Sequence, residues 1–328
     1  MDNLTNLFEA MARELIAPGT AAVAIAVIGL NIHFGFTGLL NMGQAGFMLL
    51  GAYGFAISMW KGLPLTVGVL IGLGAALVFA LILGAPTLKL RGDYLAIVTI
   101  SAAEIIRYVG RLAVLEDFTG AAQGIPGSQY RQQFVDLSFL GDGSTSIGPW
   151  DYSNTGVNGW WVRLVAWALV ALATLLLWLL VRSPWGRLLR GIREDEDAIR
   201  SLGKNVFAIK MQALIIGGLF GAVGGMVYVL ASSVQADSMG RQLTFFCYTA
   251  LLLGGAATIF GPVLGTVLFY VGRIFIKTVA NTWVPDSIMN TQQTEWFSFI
   301  VVGIALMLLV IFRPQGILGD KRELQFDV

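Results

Sequence analysis

Apolar runs of about twenty residues, each enough for one bilayer-spanning helix at roughly 1.5 Å per residue, recur along this chain and leave it few ways to fold. Hydropathy places helices at 18–34, 43–60, 65–86, 94–112, 160–181, 206–231 and 296–312, with a further apolar stretch at 245–280. Apolar residues make up 56% of the 328 and charged residues only 12%, against roughly 25% charged in an average soluble domain. The expectation is an all-α polytopic membrane protein of about eight transmembrane helices. It forms a single domain over 1–328, and no segment is left for a soluble catalytic domain.

The loop charges orient this bundle. Arg182, Arg187, Arg190, Arg193, Arg200 and Lys204 crowd 182–204, and Lys89 and Arg91 mark 87–93. The 113–159 loop instead sets Arg131 against Glu116, Asp117, Asp136, Asp142 and Asp151. Lysine and arginine favour the cytoplasmic side, so the first two segments are expected inside and 113–159 is expected to be an extracytoplasmic loop. Counting passes puts the N-terminus outside and the tail with Arg313, Lys321 and Arg322 in the cytoplasm. That count requires 245–280 to enter and leave on one side, as a broken or re-entrant helical hairpin interrupted at Gly254-Gly255 and Gly261-Pro262. Its length of about 36 residues is short for two full passes of ~20 each.

The first fourteen residues set Asp2, Glu9 and Glu14 against Arg13 and lack the basic start of a cleaved signal, so the first apolar segment is expected to remain a helix. Trp60, Trp160, Trp161 and Trp296 fall near helix ends, where aromatic belts form; Trp167 lies deeper. The net charge of +1 gives no ground for a nucleic-acid partner, and the single cysteine, Cys247, excludes an intrachain disulfide.

Polar residues inside apolar runs are expensive and so carry information. Glu104 lies about 15 Å beyond Tyr94 along its helix, near the bilayer centre, with Arg107 one turn on. It either pairs with Arg107 or sets the polarity of a path through the bundle. Asn31, Thr37, Asn41 and Gln44 follow the first span on glycine-loosened backbone, where they either line a path or satisfy freed backbone groups. His33 is the only histidine, so no metal site is expected around it. Asp93, at a helix start, reads as a cap. Glycines cluster at Gly35, Gly38, Gly43, Gly46, Gly51 and Gly54, and again at Gly254, Gly255, Gly261 and Gly265. A weak internal duplication and ordinary close packing of helices both account for this.

The 183–203 segment places Leu188, Ile192, Ile199 and Leu202 at helical spacing around a charged stretch from Arg193 to Asp197. It reads as a solvated loop or as a helix lying on the membrane and offering a docking face to a cytosolic partner.

This segment, with Gly186, Arg187, Ile192 to Glu196, Ala198, Ser201 to Gly203 and Lys210, resembles the cytoplasmic coupling segment of permeases in the branched-chain amino acid ABC transporter family. Other blocks follow in that family's order: Arg91 to Thr99 with Glu104 to Arg107, then Leu253 to Gly255 with Gly261 to Gly265, then Phe312 to Gly316. The resemblance spans about 30–320. It implies the membrane permease subunit of an ATP-driven importer, set in the bacterial inner membrane and taking branched-chain amino acids into the cytoplasm. It further implies a second homologous permease, two cytosolic ATP-binding subunits and an extracytoplasmic substrate-binding protein.

The chain has no Gly-x4-Gly-Lys-Ser/Thr loop. ATP and Mg are therefore expected on the partner subunits, with no cofactor and no enzymatic activity on this one. The resemblance makes Arg187, Arg190, Arg193, Glu194, Asp195, Glu196, Ala198, Ser201 and Gly203 the candidate coupling residues in the 183–204 segment. Asn31, Thr37, Asn41, Gln44, Thr99 and Glu104 are the candidate path-lining residues, and Gly254, Gly255 and Gly261 the broken-helix glycines. The chain departs from the family pattern at Leu40 to Gln44, where serine and histidine are common, and at Thr119 to Ala121, where a double glycine is common. Urea or a short amide therefore stands as an alternative substrate. A passive urea-type channel would not need a charged docking helix, and a secondary transporter would need more of an ionisable relay than Glu104 and Arg107 provide. No catalytic constellation supports a membrane enzyme.

Overall fold

The computed structural model describes residues 2–89, 92–141, 143–148, 150–283, 290–313 and 315–319. Arg91, Asp142, Lys321, Arg322 and the side chain of Asp93 lie outside the described residues. Helices follow the apolar windows. In chain order they are α1 (Asp2–Leu15), α2 (Pro18–Leu30), α3 (Gln44–Trp60), α4 (Leu65–Thr87), α5 (Gly92–Gly110) and two short helices of the large loop, α6 (Glu116–Thr119) and α7 (Gln132–Asp136). After the loop come α8 (Trp160–Arg182), α9 (Pro184–Glu194), α10 (Glu196–Ser201), α11 (Val206–Leu230), α12 (Arg241–Gly254), α13 (Gly261–Trp283) and α14 (Thr291–Phe312). Inside the loop, β1 (Ser144–Ile147) and β2 (Trp150–Ser153) form an antiparallel hairpin that the sequence reading did not anticipate.

Among the described residues five helices are long and apolar enough to cross a bilayer unaided: Pro18–Phe36, α4, α8, α11 and α13. The bundle is that of an all-α polytopic membrane protein. The Pro18–Phe36 span lies at its centre, with every residue from Ala21 to Ile28 fully buried.

Glycine makes this burial possible. Gly224 of α11 faces Ala22 and Ala26 of α2, and Gly225 faces the backbone of Met48 on α3. A side chain at either position would collide, so α2, α11 and α3 approach backbone to backbone, the small-residue packing of membrane helices. The outward faces differ in character. α4 exposes Leu70, Leu77, Val78, Leu81 and Ile82, and α8 exposes Leu172, Leu175 and Leu179, as lipid contact requires. α5 instead exposes Tyr94, Ile97, Ser101, Ile105 and Tyr108.

The expected broken hairpin extends further than its apolar window, from 241 to 283. Arg241 and Gln242 make the first turn of α12 polar, and Asn281 and Thr282 do the same for the last turn of α13, so hydropathy clips both ends. α12 has 14 residues, about 21 Å at the helical rise, too short for a hydrocarbon core of roughly 30 Å. α13, with 23 residues, is long enough. Between them the chain turns at Gly255 (φ +113°) and Ala257 (φ +61°).

Loops gather at two ends. At one, Lys61 Nζ donates to the carbonyl of Asp117, Ile125 pairs with Val234, Tyr130 donates to the Val229 carbonyl and Trp150 to that of Ala12. At the other, Lys89 sits over the Phe207 ring, Lys210 pairs with Glu196, and the amides of Ile317 and Leu318 donate to the carbonyls of Leu253 and Gly254. The acidic loop thus lies at one end, and the described basic segments lie at the other.

Candidate functional site

Two interruptions in the helices meet inside the bundle. The first begins where α2 loosens into a π-helical turn over Asn31–Phe36, after which 37–43 leads back to the start of α3. The second is the 255–260 turn between α12 and α13. Backbone freed of its helical partners at this depth needs others, and the polar residues supply them. Asn31 Nδ2 donates to the Thr258 carbonyl at 2.7 Å, while its Oδ1 accepts from the amide of Ala257 at 2.9 Å. One buried amide therefore ties the two breaks together.

The start of α3 is held in the same way. Its flanking amides reach three different partners. Met42 N donates to Thr99 Oγ1 on α5, Gly43 N to Asn41 Oδ1, and Ala45 N to Thr244 Oγ1 on α12. Gln44 Nε2 donates to the carbonyls of Ala26 and Gly217, and Thr37 Oγ1 to that of Ile32. Tyr248 donates to the Asn41 carbonyl, and Asn41 Nδ2 lies 3.0 Å from His33 Nδ1, whose Nε2 is 3.1 Å from the Leu214 carbonyl. With the ring proton on Nε2, both histidine contacts are hydrogen bonds. Asn31, Thr37, Asn41, Gln44 and Thr99 are all buried, and each bonds to backbone. In this conformation they serve the freed backbone.

Glu104 does pair with Arg107, through hydrogen bonds of 3.0 and 2.7 Å from Nε and Nη2. The pair belongs to a larger cluster. Arg107 also binds Asp237, which Arg111 reaches at 3.3 Å, and the other Glu104 oxygen accepts from the amide of Arg241 at 3.1 Å. Gly240, the residue before α12, has no side chain to cap that helix, so Glu104 supplies the anion from across the bundle. Asp237, Arg111 and Arg241 were missed by sequence reasoning, since nothing local in the chain links a loop residue near 237 to a helix 130 positions earlier.

The 183–204 segment is two helices where one was expected. Asp195 is extended (φ −151°, ψ 103°) and caps α10 by accepting from the amides of Asp197 and Ala198. Leu189 and Ile192 are buried, whereas Leu202, read as part of the apolar face, is exposed. The candidate coupling residues divide. Arg187, Glu194, Asp195, Ala198, Ser201 and Gly203 are exposed, while Arg190 turns inward to the Val181 carbonyl. Glu196 joins Arg200 and Lys210. Arg193 donates to the carbonyl of Gly35, inside the first break, and packs against Gly38.

Gly254, Gly255 and Gly261 lie at the second break. A side chain on Gly254 would strike the backbone of Gly261 and Gly265, and Gly255 has a φ that disfavours any other residue.

Residues 15–311 match the family described as branched-chain amino acid transport system / permease component. The chain belongs to that family. Among its relatives, the high-affinity branched-chain amino acid transport system permease protein LivM of Salmonella typhimurium is 34% identical, over 94% of this chain and 70% of its own length. The protein of the same name from Escherichia coli is 32% identical with the same coverage. Among solved structures, a metal-chelate type ABC transporter in an inward-facing conformation is similar at a TM-score of 0.48 and 14% identity, over 92% of this chain and 85% of its own. Of the residues expected to depart from the family pattern, Asn41 and Gln44 lie in the hydrogen-bonded start of α3, and Gly120 and Ala121 lie at positive φ in the loop.

Proposed function

We propose that this permease forms half of the membrane channel of an ATP-driven importer that takes branched-chain amino acids into the cytoplasm. The basic end faces the cytoplasm and the 113–159 loop faces outward, which puts the N-terminus outside and the C-terminus inside the bacterial inner membrane. Two cytosolic subunits carry ATP and Mg and dock on the exposed residues of 183–204. A binding protein delivers substrate to the loop end. A second permease packs against α5 and α12, whose exposed faces mix Tyr94, Ser101, Tyr108 and Gln242 with apolar residues, whereas the α4 and α8 faces are aliphatic and suit the lipid bilayer.

The observation that carries this reading is the Arg193 contact. An exposed segment suited to a cytosolic motor is bonded to the Gly35 carbonyl, and the same helix break is tied by Asn31 to the second one. Moving the segment would act on both interruptions, which is what exchange between outward and inward access requires. On this reading Asn31, Thr37, Asn41, Gln44, Thr99 and Glu104 border the path when the breaks rearrange.

The test is uptake of labelled leucine, with urea in parallel, into vesicles holding the reconstituted complex with and without ATP. Leucine uptake that needs ATP, and that is lost in an Arg193→Glu/Glu194→Arg double variant still able to assemble, is the expected result. Uptake down a gradient without ATP would replace the importer with a channel, and ATP-driven uptake of urea alone would reassign the substrate.

A further inference from the structure

A polar cavity lies away from the helix breaks, toward the loop end, where α1 and the start of α2 meet α11, α12 and α13. It encloses about 260 Å³. Glu14 of α1 and Arg273 of α13 both line it. Among the described residues the two form no ion pair within 4 Å of each other. Burial raises the Glu14 carboxyl above its ordinary pKa, with Thr20 donating to one of its oxygens at 3.1 Å. Arg273 lies about 18 Å into its helix. Its guanidinium sits 5.4 Å from the rings of Tyr270 and Phe299, and its Nε is buried with no hydrogen-bond partner.

Such a group is out of place as structure alone. A guanidinium at membrane depth is expensive unless an anion or a set of acceptors meets it. The remaining acid of the cavity, Asp237, already serves Arg107 and Arg111. Beside Asp237, Ser238 and Gln242, the cavity therefore presents Glu14 and Arg273, without an ion-pair partner among the described residues, and an apolar wall of Tyr228, Leu243, Phe246 and Tyr270. A free amino acid is smaller than the drug-sized ligands that fill roughly 300–1,000 Å³, so its size suits the space. An adjoining cavity of about 440 Å³ shares Glu14, Gly19 and Tyr228 and reaches the exposed Arg13, which gives the site a mouth at the loop end.

We propose that this cavity binds a free α-amino acid with an apolar side chain. Arg273 takes the carboxylate, Glu14 takes the ammonium, and the aromatic and leucine wall takes the side chain. The site deepens the importer reading and rests on it, as a station for substrate within this chain before the helix breaks. Phosphatidylethanolamine carries the same pairing of primary ammonium and anionic oxygen, so the test must separate it from the amino acid.

The assembled complex, in phosphatidylcholine nanodiscs without binding protein or ATP, is titrated with labelled leucine against leucinamide and 4-methylpentanoate, which lack the carboxylate charge and the ammonium respectively. Saturable leucine binding, with both analogues weak, is expected. Arg273→Gln should weaken leucine at least about tenfold and erase its advantage over leucinamide, and Glu14→Gln should erase its advantage over 4-methylpentanoate. Photo-leucine cross-linking in the unmutated complex is independent of how the variants fold. It should label the wall residues and be displaced by leucine. Unchanged affinity in both variants, labelling confined elsewhere, or leucine binding abolished by adding phosphatidylethanolamine would each overturn the proposal. These outcomes can occur while ATP-driven uptake by the wild type stays intact, whereas loss of that uptake removes the importer reading itself.

Discussion

Replacing Asn31 with alanine tests how the two helix breaks are held. The side chain is fully buried and fills both halves of its amide, donating to the Thr258 carbonyl and accepting from the Ala257 amide. Asn31→Ala orphans both backbone groups where membrane and protein exclude water. Each orphan costs about 1–3 kcal/mol, so together they give about 2–6 kcal/mol. Gly35 packs closely on Asn31 Oδ1 and on the Ala257 amide, so relaxation of the backbone recovers little of this loss. At roughly 2.1 cal/mol/K of unfolding entropy per residue, a chain of 328 residues loses about 1.5 °C in melting temperature per kcal/mol, so the variant should melt about 3–9 °C lower in a thermal ramp read by size-exclusion fluorescence. Ser101→Ala is the control. That hydroxyl is exposed and bonds only to the Ile97 carbonyl of its own helix, and its loss should shift melting by no more than about 1–2 °C. If Asn31→Ala melts within the range of the control, the 255–260 turn does not depend on Asn31 and the tie between the breaks is wrong.

Arg193→Ala should leave binding of the ATPase subunits near wild type while lowering ATP-driven uptake at least about tenfold. Arg187→Ala, at an exposed position, should weaken ATPase binding and lower uptake in step with it, and pull-down with a paired uptake assay separates the two. Gly225→Ala pushes a methyl into the Met48 backbone and should destabilise by about 1–3 kcal/mol, whereas Gly74, with nothing within 4 Å of an added Cβ, should accept alanine at no loss; thermal melting compares them. Glu104→Gln keeps the shape of the side chain but removes the charge shared with Arg107 and the start of α12, and should cost about 1.5–3 kcal/mol. Normal uptake by that variant would leave Glu104 a purely structural role. A cysteine at Ser101 should cross-link to the second permease in membranes, a readout kept clean by the burial of Cys247; reaction only with lipid-soluble maleimide would move the interface elsewhere.

The fold was legible wherever one face of a helix meets lipid or packed glycine, because hydropathy reports that environment directly. α4, α8 and α11 emerged from their windows almost unchanged. The start of α12 did not, since Arg241 gains its partner Glu104 only through tertiary contact. At the helix breaks the residue types were readable and their roles were not. Asparagine, threonine and glutamine inside an apolar run suit a solute and a freed carbonyl equally, and the choice depends on which backbone the fold brings within 3 Å. Thr244 and Tyr248 escaped notice for the same reason. In sequence they sit in an ordinary helix, and only the approach of α12 to the start of α3 turns them into partners for Ala45 and Asn41.

The importer reading also explains why the two breaks are built unlike each other. The first is held by side chains, from Thr37, Asn41 and Gln44, whose hydrogen bonds can be exchanged one at a time for others of similar strength. The second adds fixed backbone geometry to the side-chain bonds that Asn31 and Thr258 make there. Gly255 has a φ few residues accept, and the amides of Ile317 and Leu318 close the carbonyls at the end of α12. A break held only by exchangeable side-chain bonds can take up two arrangements at little difference in energy, while one that also rests on backbone geometry keeps more of its shape and transmits force. Arg193 grips the first of these, at Gly35. The motor's displacement would then be spent on the part of the bundle that can rearrange, and Asn31 would pass it to the part that moves as a body.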